Sequence, residues 1–375
     1  MILLDLEHLR RETPGCGNGI ALNNASASLM PEPVGAAMGR YLDEELRFGP
    51  HAAAERNDER LQKVAASTTA LTGAAGGVEF FDTVARGWSL LAGAMDWRPG
   101  ERILLSRSEW GSLIAAAGGL ARTAGLTVEW LPVTESGQLD HDALAERMDD
   151  RVRLISLPLL TAIGGRPTVR ASFPRPERCL VFADGAQALG QMPFDMEDSG
   201  FDVVIGTARK WLRGPRGIAF AALSRAGREL ANRARWLGGT PDRNTVVSDH
   251  SRMLHLGLGA AVDYALAIGL ERIRERVDRL AQDLQQRLQA IPGVVPVYAA
   301  PRSGIVAFSA TGREESLVNA LATRGIRVAL VHARYHPVLF EDLGRDRVVR
   351  VSVHYYNTEQ DLAACADAVA AILDH

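Results

Sequence analysis

The sequence predicts an α/β fold, with a large domain built on a mainly parallel central sheet and a smaller C-terminal α/β domain. Three observations carry this expectation. Short, largely apolar β-type runs, at 179–183 and 201–205 above all, suit a sheet buried on both faces. Segments with helical periodicity separate such runs along the chain. Beyond Pro292-Gly293 and Pro301, strand and helix alternate again over a shorter stretch.

Composition narrows the function classes. A chain of 375 residues can bury a large core. Its 47% hydrophobic and 23% charged residues are ordinary for a globular protein. A net charge of −3 offers no basic footprint, which argues against a nucleic-acid partner. No apolar run reaches the length of a membrane span. The start, MILLDLEHLRRE, is too acidic and its apolar part too short for a secretory signal. Cys16, Cys179 and Cys365 are scattered, with neither metal spacing nor a disulfide framework. A cytoplasmic protein without a bound metal is therefore expected.

The elements follow in order. Residues 1–14 read as a short amphipathic helix, and 15–19 as a turn; no strand precedes that turn, so it is not a nucleotide loop. Residues 20–24 form a short strand running into Ala25-Ser26. Pro31-Glu32-Pro33 opens a helix to about Leu46, Phe48-Gly49-Pro50-His51 interrupts it, and a further helix runs to about Leu71. Residues 76–81 lead through Asp82-Thr83 into a helix. A Pro-Gly turn precedes the strand Arg102–Leu105, followed by Ser106-Arg107-Ser108-Glu109-Trp110. Strands are expected at 127–131, 153–159, 217–223, 304–309, 326–331 and 347–353. Helices are expected at 140–149, 254–269, 270–291, 314–324 and Glu359–Leu373, with a polar loop at 236–249. His250 and His255 are five apart and share no helix face, which excludes a metal pair.

The stretch 179–217 organises the rest. Its first strand ends at Asp184, and its second is followed by Thr207, Arg209 and Lys210. Ligands of open α/β sheets sit beyond the carboxyl ends of the strands, so neighbouring strands place Asp184 and Lys210 on one rim. An acid and an amine there suit a carbonyl cofactor: Lys210 to form a Schiff base, Asp184 to hold a pyridine nitrogen protonated. That pair is what pyridoxal phosphate requires. Thr207 and Arg209 can bind its phosphate by a hydroxyl and a charged fork. An Asp–Lys surface pair beside a turn is the alternative reading of two such residues alone.

The same stretch resembles the class V branch of the fold-type I pyridoxal-phosphate enzymes, which holds cysteine desulfurases, isopenicillin-N-epimerase-like proteins and ergothioneine-pathway C–S lyases. Asp-Gly-Ala-Gln at 184–187 and Lys210 before Gly-Pro-Arg-Gly-Ile-Ala-Phe carry the resemblance, which runs from about Leu22 to the C-terminus. It implies the fold-type I fold, with an arm (1–20) packing on the small domain, a large cofactor domain (21–245), a connection (246–270) and a small domain (271–375). It implies a homodimer with shared active sites, Ser251 or Arg252 reaching the partner.

By matching position, the resemblance puts Asp184 on the pyridine nitrogen, Gln187 near the phenolic oxygen and Lys210 as the Schiff-base lysine. It puts the helix start at Thr83, Val84 and Ala85 on the phosphate, and Trp110 on the cofactor ring. Ala25 and Ser26 fall near the substrate carboxylate. His51 stands where the lyase-like branch has an aromatic, as a substrate contact or a surface residue. Arg350, in Arg-Val-Ser-Val-His-Tyr-Tyr-Asn, matches the arginine that pairs with the α-carboxylate. Two departures stand out. Val84 and Ala85 replace hydroxyl residues of the desulfurase pattern, and Ile163 replaces an asparagine before Gly164-Gly165.

The nucleophilic cysteine of desulfurases is missing. Aligned on Pro337, residues 329–337 read Ala-Leu-Val-His-Ala-Arg-Tyr-His-Pro, with Arg334 at the cysteine's place. The expected reaction is therefore β-elimination from a cysteine S-conjugate or its sulfoxide, with Arg334, Tyr335 and His336 stabilising or protonating the leaving sulfur. An epimerase, an aminotransferase or an oxidative decarboxylase is the alternative; a catalytically silent binding protein is disfavoured by intact Asp184, Lys210 and Arg350.

Overall fold

The computed structural model describes residues 4–134, 139–165, 167–236 and 251–374. Its centre is a seven-stranded sheet in the order Val78–Phe81, Ala219–Leu223, Val203–Thr207, Leu180–Asp184, Val152–Pro158, Arg102–Leu105, Thr127–Trp130. Only Ala219–Leu223 pairs antiparallel with its neighbours. The expected mainly parallel sheet is present.

Alternation along each strand explains why the runs are largely apolar. Val181, Ala183, Val204 and Ile155 face one core, while Phe182, Val203, Ile205 and Leu154 face the other. With a side-chain period of two, a sheet covered on both faces needs apolar residues at every position.

Glycine fixes the loop after Lys210. Gly190 has φ +101°, and a Cβ there would lie 2.6 Å from the Trp211 backbone, so a larger residue would displace that loop.

A four-stranded antiparallel sheet follows in the order Ala329–His332, Arg347–Ser352, Ile305–Ser309, Val295–Pro296. The expected strand at 326–331 is two strands. Ile326–Arg327 pairs parallel with Ile20–Ala21, and Ala329–His332 turns to pair with the strand carrying Arg350. The N-terminal helix is shorter than expected, Leu6–Arg11.

The N-terminal helix and the residues just after it contact several parts of the chain. Arg10 pairs with Asp361, while Glu12 accepts from Tyr264 and Thr13 from Arg213. The loop expected at 236–249 lies outside the described residues except Trp236. Among the described residues, no single helix is long and apolar enough to cross a membrane. The three cysteines are free.

Candidate active site

Asp184 closes the strand Leu180–Asp184 and is paired in register with Ile205 of the strand Val203–Thr207, three residues before Lys210. Thr207 ends that second strand. The strands Val78–Phe81 and Arg102–Leu105 run the same way, so Thr83, Val84, Ala85 and Trp110 stand beyond the same rim. The carboxyl ends of the large sheet thus collect most of the residues singled out above.

Electrostatics follow from the partial burial of this rim. Desolvation raises the Asp184 carboxyl, opposed by the charge of Lys210, the Ala186 amide at 2.8 Å and Arg209. Desolvation pushes the Lys210 amine down to about 7, with Asp184 opposing and Arg209 and Arg350 assisting. At neutral pH a sizeable share of the lysine is therefore a free, nucleophilic amine.

Arg350 reaches the rim from the middle of its strand, between Ala307 and Ala329. It is buried, and desolvation lowers its pKa to about 10. Its Nη1 donates to the Ala162 carbonyl at 2.9 Å, and its Nη2 to Ser26 Oγ at 2.5 Å and Asn23 Oδ1 at 3.4 Å. Arg209 donates to the Ser26 carbonyl. Ala25 is held by its amide on Ser352 Oγ and by its carbonyl on Gln187 Nε2. The segment at Ala25-Ser26 therefore joins the Gln187, Arg209 and Arg350 side chains in one network.

The other residues singled out in the sequence have these surroundings. Trp110 stacks on Tyr335, with ring centroids 5.4 Å apart and planes 7° from parallel, and both rings are 38% exposed. The Arg334 guanidinium covers the Tyr335 ring at 4.9 Å. Gln187 Oε1 is taken by Trp211 Nε1 at 2.9 Å. Thr83 Oγ1 caps the helix Val84–Gly93 by accepting from the Arg86 amide, and Thr207 Oγ1 donates to the Ile218 carbonyl at 3.4 Å. His51 is exposed on the helix Pro50–Arg56 and shares no hydrogen bond, ion pair or ring contact with the cluster among the described residues. Ile163 is fully buried against Ala307, Val331 and Val348, a core position that an asparagine would leave unpaired. His255 is buried against Phe80, and His250 lies outside the described residues.

Sequence reasoning missed Glu109. It is fully buried. Its Oε1 accepts from Ser156 Oγ at 2.7 Å, and that hydroxyl accepts from Trp88 Nε1 at 3.0 Å. Among the described residues no cation pairs with it, and burial together with the nearby Asp184 charge lifts its pKa to about 8. A carboxyl between Ser108 and Trp110 reads as a surface residue in sequence; only packing reveals it.

Glu109 also sets a pH dependence. Its folded pKa lies above the unfolded 4.5, so the unfolded chain releases the proton first, and stability falls as pH rises from about 4.5 to 8. Glu109→Gln is expected to be more stable than wild type at pH 8, by on the order of 3 kcal/mol, with the difference gone near pH 4.5. Thermal unfolding at the two pH values checks this; equal differences at both would reject it.

The rim also keeps unmet hydrogen-bonding capacity. Among the described residues, Glu109 Oε2, His336 Nε2 and Arg350 Nε are buried without hydrogen-bond partners. Buried polar atoms are normally paired, so this cluster around Lys210 and Asp184 suits a polar ligand. The set fits pyridoxal phosphate: an amine for its aldehyde, a carboxylate for its ring nitrogen, and Arg209 with a helix N-terminus for its phosphate.

Comparison with known proteins agrees. Residues 20–365 match the family described as aminotransferase class-V. A probable cysteine desulfurase from Methanothermobacter thermautotrophicus is 25% identical, over 99% of both chains. A cysteine desulfurase from Pectobacterium atrosepticum is 27% identical, over 71% of this chain and 69% of its own. Among solved structures, the cysteine desulfurase CsdA from Escherichia coli superposes with a TM-score of 0.87 at 22% identity, covering 100% of this chain and 99% of its own. A cystine C–S lyase, solved with its product cysteine persulfide, gives 0.81 at 20% identity, covering 96% and 99%. The chain belongs to the class V aminotransferases and is a fold-type I, pyridoxal-phosphate-dependent enzyme.

Proposed function

We propose that the protein is a C–S lyase that eliminates the sulfur group from a cysteine S-conjugate or its sulfoxide, releasing a thiol or sulfenate with pyruvate and ammonia. The observation that carries this reading is the loop Ala333–Tyr335. It presents Arg334 and Tyr335 and no thiol. Of the three cysteines, Cys179 and Cys365 are buried, with pKa pushed up to about 12, and Cys16 sits in the N-terminal arm. A desulfurase needs a thiolate to take the substrate sulfur; elimination does not. The relatives named cysteine desulfurases and the neighbour named a cystine C–S lyase all break a C–S bond of a cysteine derivative, which supports the coarser part of the reading.

Each role is assigned to a residue of this chain. When bound, pyridoxal phosphate supplies an electron sink for the substrate's Cα. Asp184 keeps the pyridine nitrogen protonated. Arg209, Thr207, the Thr83 hydroxyl and the amides at Val84 and Ala85 hold the phosphate, and Gln187 lies at the ring. Arg350, with Ala25 and Ser26 behind it, takes the α-carboxylate and orients the Cα–H bond. Lys210 removes that proton. Arg334 and Tyr335 face the sulfur group. The reading includes a homodimer, supported by exposed Leu42, Leu46 and Phe48 at the end of the helix Glu32–Phe48.

Arg334→Ala tests the loop. Loss of one charge-stabilising donor is expected to slow release of the sulfur group roughly a hundred- to thousandfold. Exchange of Cα–H with solvent deuterium, which depends on Lys210, should stay near wild type. Undiminished elimination in the variant would show that the loop is only a cover.

A further inference from the structure

His354 lies just beyond the strand Arg347–Ser352, which carries Arg350, and is fully buried. Its Nε2 lies 3.1 Å from the backbone carbonyl oxygen of Trp211, the residue that follows Lys210. Its Nδ1 lies 2.9 Å from the Tyr355 amide nitrogen. An amide N–H only donates and a carbonyl only accepts, so the two contacts fix the tautomer. Nδ1 accepts, and Nε2 carries the proton and donates to Trp211. Burial and the charge of Arg213 hold the imidazole pKa well below its usual value, so the ring is neutral. Tyr356 stacks on it with centroids 5.3 Å apart and planes 18° from parallel, and Tyr355 meets it edge to face at 4.4 Å. A ring confined on these sides holds one orientation.

This donation closes a circuit of hydrogen bonds. Trp211 Nε1 donates to Gln187 Oε1, Gln187 Nε2 to the Ala25 carbonyl, and the Ala25 amide to Ser352 Oγ, which returns to the strand that leads to His354. The circuit runs through the segments that carry Lys210, Gln187, Ser26 and Arg350. Lys210 has to reach the hydrogen on a carbon whose carboxylate sits on Arg350, so the separation of these two side chains decides whether proton transfer has a productive geometry. Ala162 and Ser26 fix the Arg350 end. At the lysine end, Arg209 is tied to Ser26, and Arg213 to Tyr355 at 2.7 Å. The His354 bond meets the backbone closer in, at the residue next to Lys210.

We propose that His354 is a positioning residue that holds the Lys210 loop in register with Arg350, so that the lysine amine meets the Cα–H bond of an amino acid whose carboxylate Arg350 holds. This rests on the roles given above to Lys210 and Arg350 and is independent of how the sulfur leaves.

The cofactor-loaded enzyme is mixed with L-alanine, an amino acid with no leaving group. Exchange of its Cα–H with solvent deuterium reports proton removal, and the change in cofactor absorbance gives the apparent Kd. His354→Phe keeps a flat ring against Tyr356 and loses the donor. It is expected to lower the maximal exchange rate about ten- to hundredfold, with the apparent Kd within about threefold of wild type and cofactor binding retained. His354→Gln, whose amide nitrogen can donate to the Trp211 carbonyl, should return exchange to within about fivefold of wild type. If His354→Phe does not fold, His354→Leu takes its place. Exchange within about twofold of wild type in the donor-free variant overturns the proposal. So does an equal loss in His354→Gln, which marks the ring as packing alone, and so does loss of the cofactor absorbance, which marks a structural role. A wild-type enzyme that binds alanine without exchanging its hydrogen removes Lys210 as the base, and the proposal with it.

Discussion

Lys210→Ala is expected to lower turnover by on the order of 10⁴-fold, because one side chain serves both as attachment point and as base. Neither neighbouring guanidinium can replace it: Arg209 and Arg350 remain charged at neutral pH. The loss should appear in kcat, with the fold retained. Removing the amine should even relieve the cofactor-free protein. Its folded pKa of about 7 lies below the unfolded 10.5, so the folded state binds fewer protons between these values. Stability therefore rises with pH across that window, and the desolvation penalty is full below it. Lys210→Met, which fills the space without a charge, is expected to unfold at a higher temperature than wild type at pH 6, the gap closing towards pH 10. A gap that grows with pH, or near-normal turnover in Lys210→Ala, would remove the lysine from its assigned place.

Asp184→Ala is expected to lower turnover about 10²- to 10³-fold, a loss comparable with removing one preorganised electrostatic contact at a reacting centre. Without the carboxylate, the pyridine nitrogen loses the partner that favours its protonated form, and the electron sink weakens. The structural cost is small. Asp184 Oδ1 accepts one backbone amide, from Ala186, and such a bond contributes about 1 kcal/mol. Turnover, cofactor absorbance and thermal unfolding together separate the two effects. Turnover near wild type, or loss of the fold, would contradict the assignment.

What could be read from the sequence divides along physical lines. The central sheet was legible because 179–183 and 201–205 are apolar apart from Asp202, as strands covered on both faces require, and the chemistry sits where such strands end. The partner change at Val328 was not. Residues 326–331 read as one strand, apolar apart from Arg327, and only tertiary pairing sends Ile326 to Ile20 and Ala329 to Arg350. Trp110 stacks on Tyr335 of a loop more than 200 residues away, a contact that no local pattern encodes. Glu109 was missed, and the state of His336 was not visible, for one reason. A carboxyl and an imidazole look like solvated groups in sequence, and burial with the charges brought near it shifts both. Arg350 and Lys210 were legible as chemistry, but their joint lowering of the His336 pKa depends on three segments meeting at the rim.

Product analysis separates elimination from sulfur transfer most directly. The cofactor-loaded enzyme incubated with an S-substituted cysteine is expected to release pyruvate and ammonia in equal amounts, with the thiol or sulfenate, and to form no alanine. Alanine as the product, with a persulfide carried on the protein, would contradict C–S elimination as the function of this chain.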